Sequence, residues 1–558
     1  MKICYIWIEK YRNLENFSLN LSSTTKFNFD SEKNLLTSES CRKLPLDFFG
    51  QRIDEVTGLI GKNGSGKSNA LSLICNALKN SKSGLNAHFL IITEEDGIQT
   101  CHYSFKKNLS QPSANFSIEI IEYVGEVKEL KVIYFSNVFN KSRNYFGREV
   151  SDISVKNGIF ENRVRPAKSD FEKQMILINS RLFRKIDIDL PHKIRFTQKR
   201  LSKFSLSSRY SGNSASILVS LESLKDLFRN RLREINGRNR FFHLVRLSYF
   251  EYILSLRINA DEYSLFLSNA VDFMQGNSND QKTEEISENL IRFISESFPS
   301  SSLICYEKKS SRESEFDLEV IRRQIDFLLK IQENFSSIDI DYSTEGFRNR
   351  SEVTFEIAYS QKSKGLIQEF VSLFGESIGM NIDWSGISSG HLAYLNLFSS
   401  IYDELKNVRQ RSLLLCIDEG DLYLHPFWQV EFFSKLLSVL PEMFRGEIQI
   451  VLTSHSPFLL SDLPNQCITI LDQHIQGGTM NGIALDEQTF GGNLYDLYAK
   501  PFFLGDQKMS KFAYEKIARY LELVEATSGS VKGNPDDISH LIGDEVIRFK
   551  LQRLFGND

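Results

Sequence analysis

The 558-residue sequence lacks any apolar run that approaches the ~18–20 residues of a membrane-spanning helix. It also lacks the apolar core and small-residue cleavage site of a signal peptide, because its first residues enter a strand-like pattern directly. Sustained heptads and internal repeats are absent too, which argues against a long coiled-coil arm or a repeat array. We therefore expect a soluble, cytoplasmic protein of two or more lobes with no membrane contact.

Strong net charge and paired cysteines are absent as well. The net charge is −4, so any nucleic-acid contact would need a local basic patch instead of the whole surface. None of the 7 cysteines stands at C-x-x-C spacing, and several lie inside apolar runs. This pattern predicts buried, reduced thiols and argues against zinc ligands or disulfides.

The sequence does contain a complete phosphate-binding pattern. Gly61–Ser68 reads Gly-Lys-Asn-Gly-Ser-Gly-Lys-Ser, a full match to G-x-x-x-x-G-K-[ST]. An apolar run, Val56–Ile60, precedes this loop, and a helical pattern, Asn69–Leu78, follows it. Backbone N–H groups of such a loop and the helix N-terminus bind phosphate oxygens. The predicted phosphate ligands are Gly61, Lys62, Asn63, Gly64, Ser65, Gly66, Lys67 and Ser68.

Two side chains of this loop favour nucleotide binding over an ordinary glycine-rich turn. Lys67 can reach the β- and γ-phosphates of a nucleoside triphosphate, and the Ser68 hydroxyl can hold Mg²⁺. We therefore expect ATP and Mg²⁺ to bind at this loop.

Two later strand-like runs end in residues suited to triphosphate hydrolysis. The apolar run Leu413–Ile417 leads into two acids, of which Asp418 would hold Mg²⁺ and Glu419 would polarise the attacking water. A second run starts at Ile448 and ends at His455, whose imidazole can hydrogen-bond the γ-phosphate or the water. Alone, each pattern is often only a strand that enters a turn, but downstream of the glycine loop the functional interpretation is favoured.

A third candidate is the start of an amphipathic helix after Ile387. Ser388, Ser389 and Gly390 stand at its N-terminus, where hydroxyl and N–H groups can bind an anion. A plain serine N-cap is the alternative. The order along the chain favours an anion site, because the glycine loop, this helix, the acidic pair and the histidine follow one another.

The chain divides into three predicted segments. Residues 1–140 alternate strand patterns with turns and predict an antiparallel β lobe beside a nucleotide-binding core, with a polar loop at Ser22–Arg42. Residues 141–345 predict a largely helical insertion, and residues 346–558 return to alternating strands and helices. We therefore expect an α/β fold in which one ATPase head is split in sequence by the insertion.

Two basic stretches leave their role open. Arg229–Arg240 is rich in arginine, with Arg246 nearby, and Arg181–Lys203 is also basic. The fork-shaped guanidinium group suits phosphate backbones, so contact with DNA or with an RNA–DNA hybrid is one interpretation. A solvated or ion-paired surface is the other, with about equal weight.

The order of these motifs resembles the ATPase heads of the ABC type, in the branch of the SMC and RecF proteins. Ile387–His391 resembles their signature, with serine in place of its first glycine and histidine in place of its glutamine. Asp418–Glu419 resembles the Walker B pair and His455 the switch histidine. The resemblance implies a P-loop head with a mixed sheet flanked by helices. It further implies that Arg12 approaches the phosphates and that Asn137, which stands in the Q-loop region, contributes to the Mg²⁺ site.

Three other stretches resemble ATPases of bacterial anti-phage defence: Leu424–Pro426, Thr453–Pro457 and Thr489–Tyr495. Such ATPases include the OLD nucleases and the ATPase subunit of Septu (PtuA-like) systems, some of them linked to retrons. OLD proteins continue into a Toprim nuclease, whereas no Toprim strand pattern follows His455 here. The Septu-type ATPase is therefore the closer match, and the chain itself is not expected to be a nuclease.

The resemblance also implies partners. In such heads two subunits clamp ATP head to tail, so a homodimer or a higher even-numbered oligomer is expected, with a separate HNH nuclease and, in a retron, a reverse transcriptase and an RNA–DNA hybrid. A RecF-like DNA-repair ATPase that binds DNA directly is the alternative function. A transporter ATPase is disfavoured by the long stretch between the glycine loop and the signature, and an inactive scaffold by the intact Lys67, Asp418, Glu419 and His455.

Overall fold

The computed structural model describes most of the chain. The described residues are 1–79, 87–105, 110–123, 129–137, 150–154, 168–198, 237–255, 261–276, 283–298, 304–306, 313–315, 318–347, 350–375, 380–471, 488–494, 510–526 and 546–549, with a few single residues between these ranges and, in a few elements, the backbone alone. All structural statements below refer to these residues.

The strands are numbered here in chain order. They are β1 (Lys2–Tyr11), β2 (Leu14–Asn20), β3 (Thr25–Asp30), β4 (Leu35–Ser40), β5 (Ile53–Gly61), β6 (Phe89–Glu95), β7 (Ile98–Ser104), β8 (Ser113–Ala114), β9 (Glu119–Glu122), β10 (Leu130–Ser136), β11 (Val150–Asp152), β12 (Lys193–Gln198), β13 (Ile304–Tyr306), β14 (Glu313–Glu315), β15 (Ile340–Phe347), β16 (Arg350–Ala358), β17 (Met380–Trp384), β18 (Ser412–Asp418), β19 (Glu447–Ser454) and β20 (Ile468–Leu471).

The helices are numbered in the same way. They are α1 (Lys67–Lys79), α2 (Asp170–Ile178), α3 (Phe183–Ile186), α4 (Arg238–Ser255), α5 (Asp261–Gly276), α6 (Thr283–Ser297), α7 (Leu318–Leu329), α8 (Ile331–Asn334), α9 (Gln361–Phe374), α10 (Ser389–Leu405), α11 (Pro426–Met443), α12 (Pro457–Asp462) and α13 (Lys511–Ala526), and a 3₁₀ turn covers Asn465–Cys467.

A parallel sheet with the strand order β11-β10-β18-β19-β5-β20 forms the central layer, and every described pair in it is parallel. Both faces of this sheet are covered, which explains why its strands are continuous apolar runs. In β18, alternate side chains enter two cores: Leu413 and Leu415 on one face, Leu414 and Cys416 on the other. Because all these strands run in one direction, their carboxyl ends lie at one edge of the sheet.

Helices occupy both faces of the central sheet. The apolar side of α1, with Leu71 and Ile74, joins the core that contains Leu414 and Cys416. The apolar sides of α10 and α11 join the opposite core. This three-layer arrangement of helices and sheet confirms the predicted α/β class of a P-loop ATPase fold.

A second, mostly antiparallel sheet, β2-β1-β6-β7-β9, confirms the predicted β lobe of the first segment. The prediction of a polar loop at Ser22–Arg42 is wrong, because β3 and β4 form an antiparallel hairpin there. Phe27, Phe29 and Leu36 form the buried face of that hairpin and pack in one core with β1 and β6. Polar residues on its other face give this stretch the composition of a loop, so the alternation of apolar and polar residues is weak in the sequence.

The described residues between 141 and 345 are mainly helical, as the sequence predicts. They also contribute to a four-stranded antiparallel sheet of the order β15-β16-β12-β17. The expected boundary at 345/346 falls within β15, and β12 pairs with two strands of the third segment. The insertion and the third segment therefore share one sheet, and the division of the chain into three domains stays a prediction.

Two expectations from composition can be compared with the structure. The cysteines whose side chains are described are free, and all of them except Cys41 are buried. Among the described helices, none combines the length and apolar character that crossing a membrane requires.

Candidate nucleotide site

The glycine loop lies between the carboxyl end of β5 and the first residue of α1. Gly64 and Gly66 have φ angles of 80° and 97°, a region that favours glycine because it has no Cβ. At Gly61 a Cβ atom would lie 2.2 Å from the carbonyl oxygen of Leu471, so β20 can approach only a glycine there. The loop conformation therefore depends on glycine at three of its positions.

Lys67 folds back over the loop that precedes it. Its Nζ donates hydrogen bonds to the carbonyl oxygens of Gly61, at 2.9 Å, and Lys62, at 3.1 Å. Burial lowers the pKa of Lys67 to about 8, and the nearby Glu419 and Asp418 partly oppose that shift. An ammonium group held in this way can exchange its carbonyl partners for phosphate oxygens, whose full charge makes a stronger hydrogen bond.

The strand order explains how distant parts of the sequence meet at this loop. In the central sheet, β19 lies between β5 and β18. Leu59 of β5 is in register with Thr453 of β19, which is in register with Asp418 of β18. The glycine loop, the acidic pair and the histidine therefore emerge from the same edge of three adjacent strands.

Asp418 accepts hydrogen bonds from four hydroxyl groups. Its Oδ1 accepts from Ser68 Oγ, at 3.1 Å, and from Thr453 Oγ1, at 2.7 Å. Its Oδ2 accepts from Tyr134 OH, at 3.2 Å, and Ser136 Oγ, at 3.4 Å. Burial raises the pKa of Asp418, and the hydrogen bonds from Thr453 and Ser68 oppose that rise. Two of the three residues predicted at the Mg²⁺ site, Ser68 and Asp418, are therefore in direct contact.

This donor set fits Mg²⁺ that arrives with a nucleotide. Among the described residues, no group of three or more His, Cys, Asp or Glu side chains could enclose a metal ion. Mg²⁺ is usually held by one or two carboxylates, phosphate oxygens and water instead of an all-protein cage. Ser68 Oγ and Asp418 Oδ1 supply two oxygen atoms beside the phosphate loop. The other ligands of such a site would be phosphate oxygens and water.

Glu419 and His455 face each other across the ends of β18 and β19. His455 Nε2 lies 3.5 Å from Glu419 Oε1. Hydrogen bonding from His455 lowers the pKa of Glu419, against the opposing effect of burial, so the carboxylate form is favoured. Glu419 also has a left-handed φ of 50°, and its N–H donates to Thr453 O and Thr453 Oγ1. A carboxylate held in this way can accept a hydrogen bond from an attacking water.

The two residues assigned by resemblance alone lie at the flanks of this group. Arg12 donates from Nη1 to Asn69 Oδ1, at 2.9 Å, one residue beyond Ser68. Asn137 is buried next to the acidic pair, where its Nδ2 donates to Gly420 O at 3.1 Å. The side-chain amide of Asn137 thus holds the backbone of the acidic loop. The phosphate role of Arg12 and the Mg²⁺ role of Asn137 stay predictions.

The stretch Ser388–Gly390 forms the N-terminus of α10. The Ser388 side chain is the N-cap and accepts a hydrogen bond from His391 N, at 3.2 Å. A Cβ atom at Gly390 would lie 3.2 Å from Tyr423 O, so this helix start rests on the loop that follows Glu419. The signature-like stretch and the acidic loop therefore share one surface.

The structure brings Lys67, Ser68, Asp418, Glu419 and His455 together: a hydrogen bond joins Ser68 to Asp418, an ion pair joins Glu419 to His455, and the charges of Asp418 and Glu419 act on Lys67. Sequence reasoning did not identify four side chains that hold this group together, namely Tyr134, Ser136, Thr453 and Asp421. The available signal was their position, since each lies within about three residues of the carboxyl end of a strand in the parallel sheet.

The described part of the arginine-rich stretch does not form the exposed patch that the sequence suggested. Arg246 is buried and donates from Nε to Leu328 O, at 3.2 Å, and burial lowers its pKa. Arg240 is buried as well and donates to Tyr342 OH, at 2.9 Å. Residues 229–236 lie outside the described residues.

The other basic stretch is in part an ion-paired surface. Lys193 pairs with Asp341, at 2.7 Å, and Arg195 pairs with Glu356, at 2.9 Å. Because these charges are exposed, each pair contributes little to stability.

Comparison with known protein families gives a match. The family described as an AAA ATPase domain matches residues 1–460. The matched range begins before β1 and ends within α12, so it includes the glycine loop, the start of α10, the acidic pair and His455.

Proposed function

This chain belongs to the AAA ATPase domain family and so binds and hydrolyses ATP, and we propose that it serves as the ATPase subunit of a bacterial anti-phage defence complex. In this proposal the nucleotide state of the chain controls a partner HNH-type nuclease. The convergence of Lys67, Ser68, Asp418, Glu419 and His455 at one edge of the parallel sheet supports the ATPase part of the proposal. The defence role rests on the resemblance of Leu424–Pro426, Thr453–Pro457 and Thr489–Tyr495 to defence ATPases.

Each residue of the group has a role in hydrolysis that its geometry supports. Lys67 neutralises the phosphate oxygens, and Glu419 accepts a hydrogen bond from the water that attacks the γ-phosphate. His455 holds the Glu419 carboxylate and can donate to the departing phosphate. Mg²⁺, held by Ser68 and Asp418, would neutralise charge on the β- and γ-phosphates.

We further propose that the complete site needs two copies of the chain. The N-terminus of a 17-residue helix, α10, presents backbone N–H groups of its first turn and serine hydroxyls, which suit a γ-phosphate. Its surface continues into Tyr423, an exposed aromatic residue of the acidic loop. A second copy that places this surface over Lys67 would sandwich ATP, and hydrolysis would release it. The assembly is then a homodimer or a higher even-numbered oligomer.

A mixing experiment tests the composite site. Lys67→Ala inactivates one half of the site, and Ser389→Arg blocks the other half sterically. Each variant alone should be inactive, whereas a 1:1 mixture should regain about a quarter of wild-type ATPase activity, because half of the dimers are mixed and each has one intact site. A mixture as inactive as its two components would contradict the proposal.

A reconstitution tests nuclease control. The chain is purified with its HNH nuclease partner, and DNA cleavage is measured with and without ATP. Lys67→Ala and Glu419→Gln should shift cleavage in opposite directions, because the first binds ATP much more weakly and the second binds ATP but cannot release it by hydrolysis. Lys362→Ala, which removes an exposed lysine of α9, is the matched control. Cleavage that is independent of ATP in all these proteins would contradict the proposed regulation.

The DNA-repair alternative predicts a different outcome. A RecF-like ATPase should bind gapped DNA on its own, with an affinity that falls steeply as salt rises. Co-purification with a reverse transcriptase and an RNA–DNA hybrid would instead support a retron-linked defence complex. Identification of the protein and nucleic acid that travel with the chain separates the two functions.

A further inference from the structure

Glu419 and His455 lie on two separate loops that follow β18 and β19. The pairing of the parallel strands determines where these loops begin. It does not determine the distance between the side chains of Glu419 and His455. The distance of 3.5 Å between His455 Nε2 and Glu419 Oε1 therefore needs contacts beyond the sheet. Two buried polar side chains, Asp421 and Ser454, lie beside this pair.

Ser454 links the two loops directly. Its Oγ donates a hydrogen bond to Asp421 Oδ2 and accepts one from Ser456 N, at 2.8 Å. One hydroxyl thus ties the loop of Glu419 to the loop of His455. Asp421 and Ser454 are both buried, so water does not readily replace a lost partner, and losing one leaves an unsatisfied polar group.

The link continues through the helices that follow the loops. Ser456, the N-cap of α12, donates from Oγ to Gln429 Oε1 of α11, at 3.0 Å. Gln429 Nε2 in turn donates to Leu424 O, at 3.1 Å, in the loop that contains Asp421. The hydrogen bonds therefore form a closed circuit between the two loops, in which each member orients the next.

From this circuit we infer that Asp421 and Ser454 are positioning residues for ATP hydrolysis, which hold Glu419 and His455 at their working distance. The inference rests on the assignment of Glu419 and His455 as the hydrolytic pair. Glu419 needs such support because it has a left-handed φ of 50°, a conformation that persists only where surrounding contacts enforce it. Asp421 and Ser454 themselves need not touch ATP.

The first test separates positioning from nucleotide binding. Asp421→Ala and Ser454→Ala should each lower kcat about tenfold to 100-fold, with the KM for ATP within about threefold of wild type. Asp421→Asn should restore most of the kcat, since its Oδ1 can still accept from Ser454. Ser399→Ala is the matched control, because Ser399 is also buried but its hydrogen bond within the described part of the chain is to Asn396 O of the same helix, α10.

A double-mutant cycle provides the second test. If Ser454 acts through the placement of His455, Ser454→Ala should have almost no further effect in a His455→Ala background. Independent, multiplicative effects would overturn the inference. So would an unchanged kcat in Asp421→Ala, or a loss in Asp421→Asn as large as that in Asp421→Ala.

The outcome also separates this inference from the proposed function. If Glu419→Gln and His455→Ala leave the ATPase rate intact, the assignment of the hydrolytic pair fails. If both lower the rate while Ser454→Ala and Asp421→Ala do not, only the positioning role fails. Thermal unfolding of each variant shows whether it is folded. If Asp421→Ala is not, Ser454→Ala, which removes a single hydroxyl, provides the same comparison of kcat and KM.

Discussion

The carboxyl edge of the parallel sheet and helix α4 both bury charged side chains, but they use them differently. At the sheet edge, Lys67 lies close to Asp418 and Glu419, and these opposite charges offset part of the effect of burial on its pKa. In α4, burial dominates the lowered pKa of Arg246, and Glu288 and Arg292 act on it in opposite directions. At the sheet edge, opposite charges lie together beside the glycine loop. In α4, a guanidinium group lies among packed helices.

This difference shows that buried charge alone does not indicate a binding site. Arg246 hydrogen-bonds to the backbone at Leu328 and connects α4 to α7. Lys67 also bonds to backbone carbonyls, but those belong to a glycine loop with left-handed residues, whose N–H groups can bind phosphate oxygens. The comparison therefore predicts that substitutions at the edge change catalysis, and that substitutions in α4 change stability.

The largest expected effect is that of Glu419→Gln. We expect kcat to fall about 1,000-fold, because glutamine cannot accept a proton from the attacking water. ATP affinity should stay within about threefold of wild type, since the phosphate loop is unchanged. Steady-state ATPase assays and equilibrium binding of a fluorescent ATP analogue measure both quantities. A normal kcat would contradict a catalytic role for the carboxyl edge of the sheet.

Lys67→Ala should come next. Loss of a charge-assisted hydrogen bond to phosphate should weaken ATP binding about 100-fold or more. Without nucleotide the melting temperature should not fall, because the substitution also removes a charge that is costly to bury. Calorimetric titration and thermal unfolding provide the two measurements, with Lys362→Ala as the control. A large loss of stability without a loss of ATP affinity would contradict this prediction, because Lys67 would then have a structural role like that of Arg246.

Substitutions of Arg246 test the expectation that changes in α4 alter stability and not catalysis. Arg246→Ala should lower the free energy of unfolding by about 2–4 kcal/mol, because it leaves a cavity and an unsatisfied carbonyl. Arg246→Met fills most of the volume and should cost less or be neutral. Both should bind ATP normally. Urea unfolding measures stability, and a loss of ATP affinity in a folded Met variant would contradict a purely structural role.

Tyr134→Phe should give the smallest of these effects. It removes the hydroxyl that donates to Asp418 Oδ2 at 3.2 Å and keeps the ring. The Mg²⁺ concentration needed for half-maximal ATP binding should rise about tenfold, as expected when support of a metal-binding carboxylate is lost. Tyr5→Phe is the matched control, since Tyr5 is also a buried, hydrogen-bonded tyrosine but lies in the antiparallel sheet.

Local patterns in the sequence indicate the main residues of the candidate site, but not the side chains that contact them. The glycine loop, Asp418 and Glu419 are visible because each occupies a short segment whose chemistry is specific. Tyr134 lies 284 positions from the carboxylate it contacts, so only the pairing of β10 with β18 places them together. Asp421 meets Ser454 for the same reason, through the pairing of β18 with β19.

The same limit applies to the prediction of the fold, since contacts between distant segments are not visible in a local stretch of sequence. The continuous apolar runs of β18 and β19 predict buried strands, because both faces of a parallel sheet are covered. The β3–β4 hairpin was missed because its polar face gives the sequence the composition of a loop. Arg240 and Arg246 were misjudged because burial depends on how α4 packs against distant elements such as Tyr342 of β15 and Leu328 of α7, which no local window contains.

The place of β5 between β19 and β20 has a consequence for how the protein is made. Both neighbours of Ile53–Gly61 are synthesised much later, as Glu447–Ser454 and Ile468–Leu471. At about 5–20 residues per second, the ribosome leaves this apolar strand without either neighbour for tens of seconds. A nascent chain therefore cannot complete its phosphate loop until almost all of the head has emerged, and until then the bare strand is a target for chaperones.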